Sequence, residues 1–278
     1  MKKIITLLLS LLILAACSST NPTETETTVT DDSEELVTIT VSCTAEPHAT
    51  ILEFAKPLLE EKGYNLEIEI LDNYYIFNTA LDSGDVDANF FQHIVFLNNE
   101  VEEKGYKIVN AGAIHIEPFG FYSSKYESID DIEDGATVII SNSISDHGRL
   151  LSMLEKAGLI TLKEGVDVIN ATVEDIAENP KNLSFVEANP ELLASAYTNG
   201  DGDLVGINGN YAIGAGLNPA EDALILESAE DNPYVNVVAC REGEENSDKI
   251  VALVETLKSD EVKEFILEHY QNSVIPVE

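Results

Sequence analysis

Only two of the 278 residues are arginine, Arg149 and Arg241, in a chain with 51 acidic side chains. Arg149 follows Ser145 and Asp146, both N-cap types, and precedes Leu150 and Leu151, so the pattern predicts it in the first turn of a helix. A cation there opposes the helix dipole. A bound anion would be favoured both by the free N–H groups and by the guanidinium, which clamps a carboxylate bidentately. Alternatively, Arg149 pairs with one of the many acidic residues on the surface, and position alone leaves both readings open.

A second constellation is aromatic. Tyr74, Tyr75 and Phe77 precede Phe90-Phe91-Gln92-His93 and Phe96. Half of such a set would pack in a core, but Asn89, Gln92 and His93 interleave with the rings at the end of an expected strand. An apolar wall with a few polar fixers is the usual make-up of a small-molecule pocket. The chemistry of bond-making is poorly represented, with no G-x-S-x-G, H-E-x-x-H, P-loop or G-x-G-x-x-G signature. Asn199, Asp201 and Asp203 imitate the start of a calcium loop, but Leu204 stands where the loop needs Gly, so an acidic turn is expected. A metal site would require the fold to gather His93, His115 and His147, whose spacing does not demand it; no metal and no cofactor are expected. A thiol hydrolase built on Cys43 would need a base that the neighbouring sequence does not supply. Cys43 and Cys240 are either a disulfide or two small buried hydrophobes.

These residues must be positioned by alternating strands and helices. Val37, Ile39 and Val41 have strand periodicity, Ile51, Leu52, Ala55, Leu58 and Leu59 share one helical face, and Leu66, Ile68 and Ile70 form the next strand. The rhythm continues with a helix at 78–81, a strand at 86–90, a helix at 94–104 and a strand at 106–111. After Glu117-Pro118 it resumes with strands at 137–140, 183–186 and 204–207 around a helix at 146–157. A strand at 235–240 should return to the first lobe, ahead of terminal helices at 251–257 and 262–270. The expected fold is α/β with two lobes, 36–118 plus 236–278 and 119–235, and a ligand cleft between them, where α/β folds place ligands.

The N-terminus carries a targeting pattern. Lys2 and Lys3 precede the apolar run from Ile4 to Ala16, and Leu14-Ala15-Ala16-Cys17 reads as a lipobox, with 1–16 a signal peptide and Cys17 acylated. Residues 17–35, rich in Ser, Thr, Asp and Glu, read as a flexible tether. The result is a body held at the extracytoplasmic face of a membrane by its lipid. The formal charge of −36 leaves few cations to hold a phosphate backbone, so nucleic acid is excluded as a partner.

The segments Asp87-Ala88-Asn89-Phe90-Phe91-Gln92-His93, His115-Ile116-Glu117-Pro118, Glu178-Asn179-Pro180-Lys181-Asn182-Leu183, Ile207-Asn208-Gly209-Asn210-Tyr211-Ala212 and Pro233-Tyr234-Val235-Asn236 resemble the NlpA lipoprotein family, the methionine-binding lipoproteins of ABC importers. The resemblance runs from about Thr38 to Pro276. It implies a type II periplasmic-binding-protein fold that closes on free methionine, with L versus D left open, and delivers it to a permease without catalysis. Another apolar amino acid or a short peptide is the alternative ligand. By position, the family's carboxylate clamp falls on Arg149, its polar contacts on Asn208 and Asn236, and its side-chain pocket on Tyr74, Phe91, His93 and Phe96. Two departures stand out: Ser141 to Arg149 replaces the common P-N-D-P-T-N-x-G-R, and Phe77 stands where the family usually has Pro.

Overall fold

The computed structural model describes residues 35–277. The leader, Cys17 and the tether up to Glu34 lie outside these residues. In the first lobe, β1 (Val37–Cys43), α1 (Thr50–Glu60), β2 (Tyr64–Ile70), α2 (Tyr74–Ser83), β3 (Ala88–His93), α3 (Ile94–Lys104) and β4 (Ile108–Ile116) follow in order. The second lobe contains β5 (Gly120–Tyr122), β6 (Thr137–Ser141), α4 (Ile144–Lys156), β7 (Thr161–Leu162), β8 (Ile176–Glu178), β9 (Ser184–Ala188), α5 (Pro190–Asn199), β10 (Leu204–Ile207), α6 (Gly209–Gly214), α7 (Pro219–Asp222) and β11 (Ile225–Leu226). The chain then returns through β12 (Val235–Arg241), α8 (Asp248–Leu257), α9 (Asp260–Tyr270) and β13 (Ile275–Pro276).

Two sheets carry this order. The first runs β13-β4-β12-β3-β1-β2 and the second β11-β5-β10-β6-β9; β7 and β8 form a separate ribbon. β1 is parallel to β2 and β3, while β12 is antiparallel to β3 and β4, so the returning strand is buried in the middle of the first sheet. In the second sheet β6 is parallel to β9 and β10, and β5 is antiparallel to β10. Parallel strands covered on both faces read as continuous apolar runs, which is the pattern of Val138, Ile139 and Ile140.

Each lobe has its own core. α1 drives Ile51, Leu52, Ala55 and Leu59 onto β1 and β3, joined by Leu253, Leu257, Val262 and Ile266 from α8 and α9. The second core joins Leu150, Leu151 and Leu154 of α4 to Val138, Ile140 and Leu204.

Two strands extend past their sequence patterns. β3 runs to His93 because β12 pairs along it, with Asn236 opposite His93, and β4 runs to Ile116 because β12 and β13 flank it. Long-range pairing, invisible in local periodicity, thus carries Gln92, His93 and His115 into strands. α4 starts two residues ahead of its expected start, with Ser143 as its cap, so Ser145 and Asp146 lie inside the first turn and Arg149 in the second.

Cys43 and Cys240 are both buried and free. They sit on β1 and β12, which flank β3, Cys43 opposite Phe90 and Cys240 opposite Ala88. An intervening strand separates them by about two strand spacings, roughly 9–10 Å, beyond the Cα reach of a disulfide. They are the small buried hydrophobes of the two sequence readings.

Candidate functional site

The first lobe supplies an aromatic wall. Asn73 caps α2 by accepting from the Tyr75 N–H at 2.9 Å, which brings Tyr74 into the cleft and turns Phe77 inward. Phe77 stacks on Phe91 with centroids 4.0 Å apart, and Tyr74 and Phe96 meet Phe91 at 5.7 and 5.9 Å. Behind the wall, Asn78, Asn89 and Gln92 saturate one another: Asn78 donates to Gln92 at 2.9 Å, while Asn89 and Gln92 donate to Asn78 Oδ1 at 2.9 and 2.7 Å. Asn89 is therefore a support, whereas Gln92 also reaches the cleft. His93 ends β3 and caps α3: its Nδ1 accepts from the Phe96 N–H at 3.0 Å, so Nε2 carries the proton and donates to Asp146 Oδ1 at 3.2 Å.

From the second lobe come the turns that open α4 and α6. Asp146 accepts from His93 and, at 3.2 Å, from Asn208 Nδ2. Burial alone would raise its carboxyl, but His93, Arg149 and Asn208 outweigh it and hold the group below the usual carboxylate range. Asn208 Oδ1 is buried without a partner. Tyr74 donates its hydroxyl to Asn210, and Tyr211 donates to the Asp72 carbonyl at 2.8 Å, both across the cleft.

Arg149 is buried to 3% exposure of its side chain. Its Nε donates to Glu227 Oε1 at 3.1 Å, and its Nη2 donates both to Glu227 Oε2 and to the Glu117 carbonyl, the latter at 3.1 Å. The guanidinium lies between the rings of Phe119 and Tyr234, 5.1 and 4.5 Å from their centroids. Its ion pair is thus buried rather than on the surface.

All seven ligand contacts expected from sequence, Tyr74, Phe91, His93, Phe96, Arg149, Asn208 and Asn236, line one cleft, joined by Gln92, Glu117, Asp146, Gly209 and Asn210. Its free volume is about 20 Å³, and the bonds from Tyr74 to Asn210, His93 to Asp146 and Tyr211 to the Asp72 carbonyl span it. A larger cavity of about 340 Å³ opens on the far side of Arg149 and Glu227, among Met153, Val168, Ile169 and Leu226. It has the size for a ligand, but Arg149 is the one buried polar residue that lines it, whereas Gln92, His93, Glu117, Asp146, Asn208 and Asn236 converge with Arg149 on the smaller cleft, which identifies that one as the candidate site. Glu117 and Asn210 were legible only within family segments, Asp146 only as a helix-cap type, and Glu227 had no local signal at all.

The three histidines of the metal alternative do not converge. His93 holds Asp146, His115 Nε2 contacts Glu117 Oε1 at 2.7 Å, and His147 Nε2 contacts the Ser141 carbonyl at 2.9 Å. Among the described residues, a different set, His48, His115 and Glu117, brings three donor atoms within 4.8 Å. These atoms already serve one another: His48 Nε2 lies 3.3 Å from Glu117 Oε1 and 3.2 Å from Asn236 Oδ1. Burial pushes His48 down to about 4 and His115 down to about 3, so both are neutral; His115 Nε2 donates to the Glu117 carboxyl and His48 Nε2 to the Asn236 amide oxygen on the floor of the cleft. Burial also holds the Glu117 carboxyl above its ordinary range. The Cys43 thiol is pushed up to about 12, chiefly by burial, which removes its nucleophilic form near neutral pH. Asp203 accepts from the Thr137 N–H at 2.8 Å and from Lys125 at 2.9 Å, tying β6 to a surface turn.

Residues 39–278 match the NlpA lipoprotein family model, and residues 1–18 match the prokaryotic membrane lipoprotein lipid attachment site. The methionine-binding lipoprotein MetQ of Bacillus subtilis is 50% identical over 266 residues, covering 95% of this chain and 94% of that protein. A nutrient-binding protein from Burkholderia cenocepacia, solved bound to methionine, superposes with a TM-score of 0.82 at 39% identity, over 86% of this chain and 100% of that one. A periplasmic substrate-binding protein of an ABC transporter from Coxiella burnetii gives 0.81 at 40% identity, over 86% and 100%. The two-lobed substrate-binding fold and a lipid-anchored, extracytoplasmic placement follow from these matches.

Proposed function

Since the chain belongs to the NlpA lipoprotein family, we propose that it captures free methionine and hands it to the permease of an ABC importer. The reading rests on one observation above all: seven side chains scattered from position 74 to position 236 meet in a single closed cleft between the lobes. Arg149 Nη1, with both of its N–H groups left over, faces the ligand carboxylate. Asn208 Oδ1, a buried acceptor lacking a donor, suits the ammonium group. Asn236, fixed by His48, completes the polar end. The thioether lies among Tyr74, Phe91, His93 and Phe96, where sulfur packs favourably against ring edges.

Transport then works by hinge closure. Residues 36–118 with 236–278 form one rigid body and 119–235 the other, and the ligand bridges them, shifting the population toward the closed form that the permease recognises. Acylated Cys17 and the tether keep the body at the membrane. In this proposal no bond is made or broken. Mass spectrometry of the small molecule that co-purifies with the protein tests the proposal: methionine is expected, and a different amino acid or a short peptide would replace it.

A further inference from the structure

Resting on the reading of Arg149 as carboxylate clamp, we propose that Glu227 is its positioning residue: by holding the Nε–Nη2 edge it leaves only Nη1 facing the cleft, so the ligand carboxylate is received end-on rather than by the fork. The count of donors carries the argument. A guanidinium has five N–H groups. The one on Nε goes to Glu227 Oε1, and the two on Nη2 go to Glu227 Oε2 and the Glu117 carbonyl. Nη1 has only Asp146 Oδ1 nearby, at 3.9 Å, beyond hydrogen-bond distance.

Glu227 is itself anchored at both ends. Its Oε2 accepts from the Phe119 N–H at 3.1 Å, and its own N–H donates to the Phe119 carbonyl at 2.9 Å. It therefore registers Arg149 against the start of β5, where the chain has just crossed between lobes, and the rings of Phe119 and Tyr234 hold the guanidinium plane. Without this carboxylate the arginine has somewhere to go, because the cavity of about 340 Å³ begins directly behind it and is lined by Arg149 and Glu227 alike. The pair is the wall between that cavity and the cleft.

The test compares a ligand that has the carboxylate with one that lacks it. Full-length protein in detergent, stripped of ligand, is titrated calorimetrically with L-methionine and L-methioninamide, as wild type, Glu227→Ala, Glu227→Asp, Glu227→Gln and Arg149→Ala. Wild type should prefer methionine by about 100-fold, in keeping with loss of a buried charged contact. Glu227→Ala, and Glu227→Asp with a carboxylate one methylene too short, should weaken methionine by about 10-fold or more while barely moving the amide. Glu227→Gln, whose amide must turn its NH2 group toward Nε–H or toward Nη2–H and the Phe119 N–H, should weaken methionine in the same direction while barely moving the amide. A purely structural residue would weaken both ligands alike, and that result overturns the proposal. So would tighter methionine binding in Glu227→Ala, which would make Glu227 a competitor for the clamp. Should Glu227→Ala fail to fold, an unchanged preference in Glu227→Asp overturns it as well. If Arg149→Ala keeps the wild-type preference, the clamp reading itself has failed, a result separable from the others because it does not depend on Glu227.

Discussion

Arg149 has two partners to satisfy, an internal carboxylate now and a ligand carboxylate on binding, so its truncation should be felt twice. Arg149→Ala is expected to cost about 2–5 kcal/mol of methionine affinity and, by stranding Glu227, about 3–5 kcal/mol of stability. Arg149→Lys should recover part of the stability but little of the affinity, because an ammonium cannot reach Glu227, the Glu117 carbonyl and the ligand together. Calorimetric titration and urea unfolding of both variants check this, and near-wild-type affinity in Arg149→Ala would contradict it. The histidines behind the site set a pH dependence. His48 and His115 stay neutral in the folded protein down to about 4 and about 3, whereas in the unfolded chain they take up protons below about 6.5. Stability is therefore full above that value and falls as pH drops, by at most about 1.4 kcal/mol per unit for each histidine. Glu117, whose raised carboxyl takes up its proton earlier in the folded state, offsets part of the loss. Urea titrations at pH 7.5 and 5 should show the decline, and His115→Gln should flatten it.

At the scale of elements, α4 depends on a glycine for a reason of contact. A Cβ on Gly148 would lie 2.0 Å from the Val168 carbonyl oxygen and 2.7 Å from that of Ile169, both backbone atoms that cannot rotate away. Gly148→Ala should push α4 from the 168–170 turn and move its neighbour Arg149, with a stability loss of about 1–3 kcal/mol and a parallel loss of affinity. A melting temperature within a degree of wild type would contradict this. The helices and strands that present the site were largely legible because periodicity is local: α3 spans the expected 94–104, and Leu150, Leu151 and Leu154 marked α4. α5 and α6 were not read from the pattern, although Asn189-Pro190 and Gly200 are start and stop signals and Asn208 caps α6. The last residues of β3 and β4 escaped for a different reason, since they are strand only because β12 pairs with them. Glu227 illustrates the limit most clearly. Nothing near it in sequence distinguishes it from the many other acidic residues, and its role comes from lying opposite a residue 78 positions away.

For the molecule as a whole, the cleft is a joint whose two faces are already tied by Tyr74 to Asn210, His93 to Asp146, Tyr211 to the Asp72 carbonyl and Arg149 to the Glu117 carbonyl. Each bond has one partner on either side, so a ligand that satisfies Arg149 Nη1 and Asn208 Oδ1 together adds to a set of contacts that exists only when the lobes are shut. The formal charge of −36 would repel anions over long range, but a zwitterion approaches it with no net charge. Calorimetric titration of ligand-stripped protein with L-methionine, set beside the other nineteen amino acids, tests this account most directly. One methionine should bind per chain, more tightly than any other amino acid, with a negative heat-capacity change as the aromatic wall and the thioether leave water. Heats indistinguishable from dilution for methionine, or tighter binding of a polar amino acid, would contradict it.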